Sequence, residues 1–204
     1  MSKNVAKSQR ATNMIDPEYL LKAYCSGFFP MADDKNGEIG WYSPDPRGIF
    51  ELNDFRVARS LKLTIKKRAF EVVIDRRFEE VMRSCASRKE TWISEEIIQS
   101  YRELHRLGFA HSVECWKGDE LVGGLYGVAI RGAFFGESMF SRLRDASKVA
   151  LVSLVNRLNE RGFELLDTQY ITPHLARFGA KEITKEEYLL RLQKALSKNC
   201  SFTP

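Results

Sequence analysis

Long apolar runs are missing from this chain of 204 residues. No stretch approaches the ~18 apolar residues of a membrane span, so no membrane partner is expected. Cysteine and histidine are scarce, four and three. They form no Cys-x-x-Cys pair and no Cys/His cluster at metal spacing, so no metal is expected. Cys25, Cys85, Cys115 and Cys200 read as free thiols in a reducing compartment. No P-loop or dinucleotide fingerprint occurs, and no Gly-x-Ser-x-Gly elbow. Ser138, Ser141 and Ser147 have no base nearby in sequence; His105, His111 and His174 are scattered, and His105 and His111 read as structural. Met1 to Arg10 is polar and basic and lacks the apolar stretch of a secretory signal. A cytoplasmic location is expected.

What is there suits a folded domain. Hydrophobic residues make up 44% and charged residues 29%, enough for a core within a solvated surface. The net charge is +5, a basic excess that favours an anionic partner. Much of it is local, with Lys62, Lys66, Lys67, Arg68, Arg76 and Arg77 close together. A solvated basic face explains the same run without any partner.

Local signals divide the chain. Met1 to Asn13 reads as disordered. Asp16 caps a helix with Pro17 in its first turn, and Gly27 closes it. Phe28 to Met31 carries no assigned element, Ala32 to Gly40 reads as a polar loop, and the proline-punctuated Trp41 to Arg47 reads as rigid and irregular. Gly48 to Leu52 is a candidate strand, and a domain boundary is placed at Asn53–Asp54. This gives a small N-terminal domain over 1–53 and a larger one over 54–204. Beyond it, Phe55 to Lys67 is ambiguous and Phe70 to Ile74 is a strand. Phe78 to Ala86 is a helix, and Ser94 caps another that runs to Leu107. Strands follow at Ala110 to Trp116, Glu120 to Ile130 and Ala133 to Phe140, joined by tight turns. Ala146 to Arg161 is a helix with a broad apolar face, Phe163 to Thr168 a strand, and Thr184 with Glu187 a capping box for the last helix.

Tight turns make consecutive strands antiparallel, whereas a helical crossover makes its two strands parallel. The expected fold is therefore α+β, a mixed sheet with an antiparallel meander feeding one βαβ crossover. That order is similar to the GNAT acyltransferase fold, in which two parallel strands splay and the substrate lies in the gap. Glu137, Asp167 and Gln169 fall at the ends of the two crossover strands, where core residues would be less costly. Side chains alternate along a strand. Asp167 and Gln169 should thus share a face, as should Glu137 and Met139. Convergence at the strand ends would make a site; capping or loop bonding is the plain alternative. Gly123-Gly124-x-x-Gly127 lies inside a strand and reads as a bulge or a close backbone approach.

Many segments, taken in order, resemble one family, the leucyl/phenylalanyl-tRNA–protein transferases. They include Gly27-Phe28-Phe29-Pro30, Trp41-Tyr42-Ser43-Pro44-Asp45-Pro46-Arg47, Thr91-Trp92-Ile93 and His111-Ser112-Val113-Glu114. They continue with Leu121 to Val128, Phe135-Gly136-Glu137-Ser138-Met139-Phe140-Ser141, Asp145-Ala146-Ser147-Lys148 and Leu166-Asp167-x-Gln169. Met31 stands where some relatives have Trp, and Arg177-Phe178 where Ser-Leu is usual. The resemblance implies transfer of Leu, Phe or Met from aminoacyl-tRNA to proteins with N-terminal Arg or Lys, which marks them for N-degron degradation. It implies a GNAT-like domain after a small N-terminal one, with no cofactor. The resemblance puts catalytic roles on Asp167, Gln169 and Glu137: Gln169 either joins a proton relay with Asp167 or, as the poor basicity of an amide favours, is held by Asp167 and positions the amine, while Glu137 with Asp167 draws in the acceptor's cation. Met31, Trp92, Leu125, Phe134, Met139 and Leu166 are placed around the aminoacyl side chain, with core packing as the plain alternative. Lys62, Lys66, Lys67 and Arg68 are assigned to the tRNA backbone, and a monomer is expected. An acyl-CoA-dependent enzyme of the same fold and a non-catalytic basic RNA-binding module are the alternatives. The lack of a pyrophosphate loop between meander and crossover helix counts against the first.

Overall fold

The computed structural model describes residues 14–34 and 37–203. The expected disorder of Met1 to Asn13 lies outside them. At the N-terminal end, helix α1 (Pro17–Cys25) is followed by a two-stranded sheet of β1 (Phe29–Ala32) and β2 (Ile39–Tyr42). Asp16 accepts a hydrogen bond from the Tyr19 amide at 3.0 Å and so caps α1. Leu20 and Tyr24 point into the core. The pairing of β1 with β2 replaces an unassigned stretch and departs from the loop and irregular readings over Ile39 to Tyr42. Prolines disfavour central strands, but a two-stranded sheet has only edges, and Pro30 is tolerated there.

The rest is a mixed seven-stranded sheet. Its strands are β3 (Arg47–Phe50), β4 (Glu71–Ile74), β5 (Ala110–Lys117), β6 (Glu120–Ile130), β7 (Ala133–Ser141), β8 (Leu165–Gln169) and β9 (Lys181–Ile183). They lie in the order β4-β5-β6-β7-β8-β3-β9. Only β7 and β8 run parallel, joined by α5 (Ala146–Glu160), as the crossover reading requires. The boundary placed at Asn53 falls after β3, yet β3 is an inner strand between β8 and β9. Arg47, Ile49 and Phe50 are almost fully buried there. Four residues give too short a pattern to show this; long-range pairing decides it.

Helices cover both faces. α5 and α2 (Arg59–Lys66) pack on one face, around Phe134, Val149, Leu154, Leu158 and Leu166. The other face carries α1, α3 (Phe78–Ala86), α4 (Glu95–Arg106) and α7 (Lys185–Leu196), around Tyr24, Tyr101, Tyr126, Phe135 and Tyr188. Ser94 and Thr184 cap α4 and α7 through the amides of Ile97 and Glu187, both at 3.3 Å. A short α6 (Pro173–Ala176) links β8 to β9. Among the described residues no helix is long and apolar enough to cross a membrane.

The sheet opens where the site should be. β7 pairs with β8 only from Ala133 to Phe135, opposite Leu165 to Asp167. β7 then runs on to Ser141 beside β6 alone. A bulge lies on each side of the opening. Gly136 and Ser138 face Gly127 and Tyr126, leaving Glu137 as the extra residue. Asp167 and Gln169 face Ile49 and Gly48, leaving Thr168 as the extra residue. Bulges re-aim side chains and increase local twist. Gly123 and Gly127 serve close approaches, as expected. A Cβ at Gly123 would stand 2.5 Å from that of Ala146 on α5, and one at Gly127 would strike the Phe135 carbonyl and the Phe134 ring.

Candidate active site

Asp167 is wholly buried, and its partner is Arg47, 1% exposed. Arg47 Nε and Nη2 donate to its two carboxylate oxygens at 3.0 and 2.6 Å. Tyr188 Oη donates to Oδ2 at 2.8 Å, and the Gln169 amide to Oδ1 at 2.9 Å. These four bonds fill the carboxylate's acceptor capacity. Arg47 Nη1 donates to the Gly27 carbonyl at 3.0 Å. The guanidinium lies over the rings of Phe29 and Tyr188, 4.8 and 4.4 Å from their centroids. Burial, and next the Asp167 charge, push the Tyr188 phenol far up, so it stays a donor.

The expectation that Asp167 helps to draw in an acceptor's cation is therefore corrected, because Arg47 already neutralises it. Asp167 does hold Gln169, but by the backbone. The Gln169 amide bond accompanies a left-handed φ of 58°, and together they fix the turn that aims this side chain. Gln169 Nε2 points to Glu137 Oε1 at 3.4 Å, so the three predicted polar residues do converge.

Glu137 faces the side covered by α1 and α4. Tyr24 Oη donates to Oε1 at 2.7 Å and Tyr101 Oη to Oε2 at 3.2 Å, and the two phenols also bond each other. Burial pushes Glu137 up to about 7, against the lowering effect of the Tyr24 bond and with the Asp167 charge adding to the rise. Burial and then the nearby Glu137 charge keep both phenols protonated. Glu137 and Met139 do not share a face, contrary to simple alternation. The bulge turns Glu137 and Ser138 to the helix side, while Met139 packs on the α5 side.

A cleft of about 520 Å³ fills the opening. Met31, Trp92, Leu125, Met139 and Leu166 line it, together with Leu151, Leu154 and Leu175. Glu137, Thr168, Gln169, Tyr170 and His174 supply its polar wall. Phe134 is the exception among the six predicted pocket residues. It is fully buried, its ring covering Gly127 and packing against Phe202 at 5.2 Å. It belongs to the core.

Lys62 and Lys66 on α2 and the following Lys67 and Arg68 are all exposed. Their side chains make no ion pair with any described residue. Arg76 is different, paired with Glu71 at 2.6 Å.

Sequence reasoning missed Arg47, Tyr188, Tyr24 and Tyr101 as site residues. Arg47 carried one signal, an arginine placed in a motif otherwise rich in aromatics and prolines. The tyrosines fall in helical apolar stripes and look like core. Asp75, His105 and His111 bring possible ligand atoms within 4.8 Å of one another. Hydrogen bonds within the fold account for them: His111 to Asp75 at 2.7 Å and to the Gly108 carbonyl at 3.1 Å, His105 to the Ala110 carbonyl at 2.7 Å.

Chemically, the arrangement is an apolar slot beside one amide and one carboxyl with a raised pKa, with a locked ion pair behind them. Comparison with known proteins gives a consistent account. The family model described as leucyl/phenylalanyl-tRNA protein transferase matches residues 49–193, and that of the family's N-terminal domain matches residues 13–45. The leucyl/phenylalanyl-tRNA–protein transferase of Herpetosiphon aurantiacus is 54% identical over 94% of this chain and 100% of its own. That of Gloeobacter violaceus is 53% identical over 92% and 97%. That of Chlorobaculum parvum is 52% identical over 93% and 100%. Among solved structures, L-PGS from Bacillus licheniformis aligns with a TM-score of 0.47 at 9% identity, over 89% of this chain and 71% of its own, too slight a likeness to carry an argument. The chain belongs to the leucyl/phenylalanyl-tRNA–protein transferase family.

Proposed function

We propose that the chain moves Leu, Phe or Met from aminoacyl-tRNA to the α-amine of proteins that begin with Arg or Lys, marking them for N-degron degradation. The single observation behind this is the apolar cleft at the splay of β7 and β8, with Gln169 and Glu137 on its wall. Family membership supports it. The same reading makes the larger unit a GNAT-like acyltransferase domain.

The amine nitrogen attacks the ester carbonyl, a C–N bond forms, the C–O bond to ribose breaks, and the ribose oxygen leaves with a proton. The ester is already activated, so the reaction needs no ATP or CoA. An α-amine has a pKa near ~8, so roughly a tenth is neutral at pH 7. No strong base is required. Gln169 acts as a positioner: its Nε2 faces Glu137, which leaves its carbonyl oxygen to accept from the amine. Rate then comes from orientation and from preset dipoles. Asp167 acts through the Gln169 backbone. Glu137 attracts the Arg or Lys end of the acceptor.

The cleft is apolar and takes unbranched or γ-branched side chains. A hydrophobic pocket separates close homologues by only ~1–3 kcal/mol per methylene, so selection among Leu, Phe and Met is loose. Lys62, Lys66, Lys67 and Arg68 meet the tRNA phosphates, which carry affinity rather than sequence.

Incubation with radiolabelled Leu-tRNA and peptides that begin with Arg, Lys or Ala tests the reading. Label should pass to the Arg and Lys peptides and not to the Ala peptide. RNA binding without transfer would leave only a binding module.

A further inference from the structure

Three buried side-chain polar atoms among the described residues have no hydrogen-bond partner: Tyr126 Oη, Thr168 Oγ1 and His174 Nε2. All three residues line the same cleft. Leaving such an atom unpaired is costly, and each one needs a reason. Tyr126 sits on the helix side beside Glu137. Thr168 and His174 line the cleft together with Gln169.

Thr168 is the extra residue of the β8 bulge, and a Cβ on Gly48, the partner of Gln169, would lie 3.0 Å from its hydroxyl. Both the bulge and the glycine therefore leave room for this oxygen at the cleft wall. His174 lines the cleft from α6. Burial, then the charges of Lys148 and Arg177, lower its pKa, so its ring is neutral at pH 7. A neutral ring nitrogen and a hydroxyl suit a ligand group that both donates and accepts. The cations beyond them disfavour an ammonium and favour a group followed by a phosphate.

One group of an RNA donor has this character and this position. When the amino acid is esterified at the 3′ oxygen of the last ribose, the vicinal 2′-hydroxyl is free. It sits on the carbon next to the reacting ester, and the ester must stand at Gln169. The 2′-hydroxyl is both donor and acceptor, and it is what distinguishes RNA from DNA at a given site. Resting on the reading of this cleft as the donor site, we propose that Thr168 Oγ1 and His174 Nε2 bind the free 2′-hydroxyl of the donor's terminal ribose. Arg177, and Lys148 with its partner Asp145 at 2.7 Å, then lie toward the phosphodiester that follows. The interaction fixes the ester against Gln169 and selects ribose over deoxyribose.

Two short RNAs test this, ending in adenosine or 2′-deoxyadenosine and each carrying Leu at the 3′ oxygen. Transfer to an Arg peptide is followed for the wild type, Thr168→Val and His174→Phe. The wild type should lose roughly three- to tenfold in kcat/KM on the deoxy donor, the worth of one ordinary hydrogen bond. Each variant should lose a similar factor on the ribose donor and nothing more on the deoxy donor. Such coupling at either position supports the proposal. Losses that multiply, variants that match the wild type on the ribose donor, or a wild type indifferent to the 2′-hydroxyl would overturn it. Thr168→Val is isosteric and removes an unpaired hydroxyl, so its melting temperature should equal or exceed the wild type's; a clear drop would show that the hydroxyl is structural and overturn its part. A wild type that transfers from neither RNA nor intact Leu-tRNA would sink the donor-site reading itself, whereas transfer without coupling sinks this inference alone.

Discussion

Arg47 grips both oxygens of Asp167 from a strand 120 residues earlier in the chain, with neither residue more than 1% exposed. A buried pair of this kind adds little net stability, but leaving one charge alone in the interior is severe. Arg47→Met should cost about 3–5 kcal/mol of unfolding free energy, and Asp167→Leu a similar amount. The double substitution should recover most of that loss in a urea titration. Transfer should stay low in the double variant, because the Gln169 amide has lost its acceptor. Equal losses that simply add would show that the two side chains are not coupled.

Glu137 gives the chain a pH signature. It titrates near 7 in the folded protein against an ordinary value of 4.5. Between those two values the folded state holds the extra proton, so this group's contribution to stability falls as pH rises through the window. Glu137→Gln removes the effect. The melting temperature of Glu137→Gln minus that of the wild type should climb from pH 4.5 to 7 and then level off. A flat difference would mean that Glu137 titrates normally.

Gln169 separates positioning from base catalysis. Gln169→Ala and Gln169→Glu should both lose nearly all single-turnover transfer, even at pH 9, where the acceptor amine is largely neutral. Full recovery at that pH would leave no place for a positioning role.

The exposed cations after Leu61 carry the prediction for tRNA. Reversing Lys66, Lys67 and Arg68 to Glu should weaken tRNA binding and flatten its dependence on salt, by about 0.9 in log–log slope for each phosphate no longer neutralised. An unchanged slope would remove this patch from the interface.

How much of this was legible in the sequence depended on distance along the chain. α3, α4, α5 and β6 were bounded within a residue or so, because caps, glycine stops and apolar periods are local. β1, β2 and β9 were not, since three or four residues hold no period and their strand character comes from partners elsewhere. The same limit applies at the site. Glu137 and Gln169 were visible as polar residues at strand ends. Their companions Tyr24, Tyr101 and Tyr188 looked like ordinary apolar stripe. Phe134 was misplaced because the ring fills space above Gly127, which no spacing reveals. Alternation also failed at Glu137, since one bulge residue reverses the parity of everything after it.

The position of β3 matters for synthesis. The Asp167 carboxylate draws its bonds from Arg47, made early, and from Tyr188, made late. Pairings of such long sequence separation form slowly, because the loop between them must close first. While a ribosome is still building the chain, Arg47, Asp167 and Gln169 are all present before Tyr188, so the carboxylate still lacks that phenol. The four donors on the Asp167 carboxylate are therefore complete only once residue 188 has emerged.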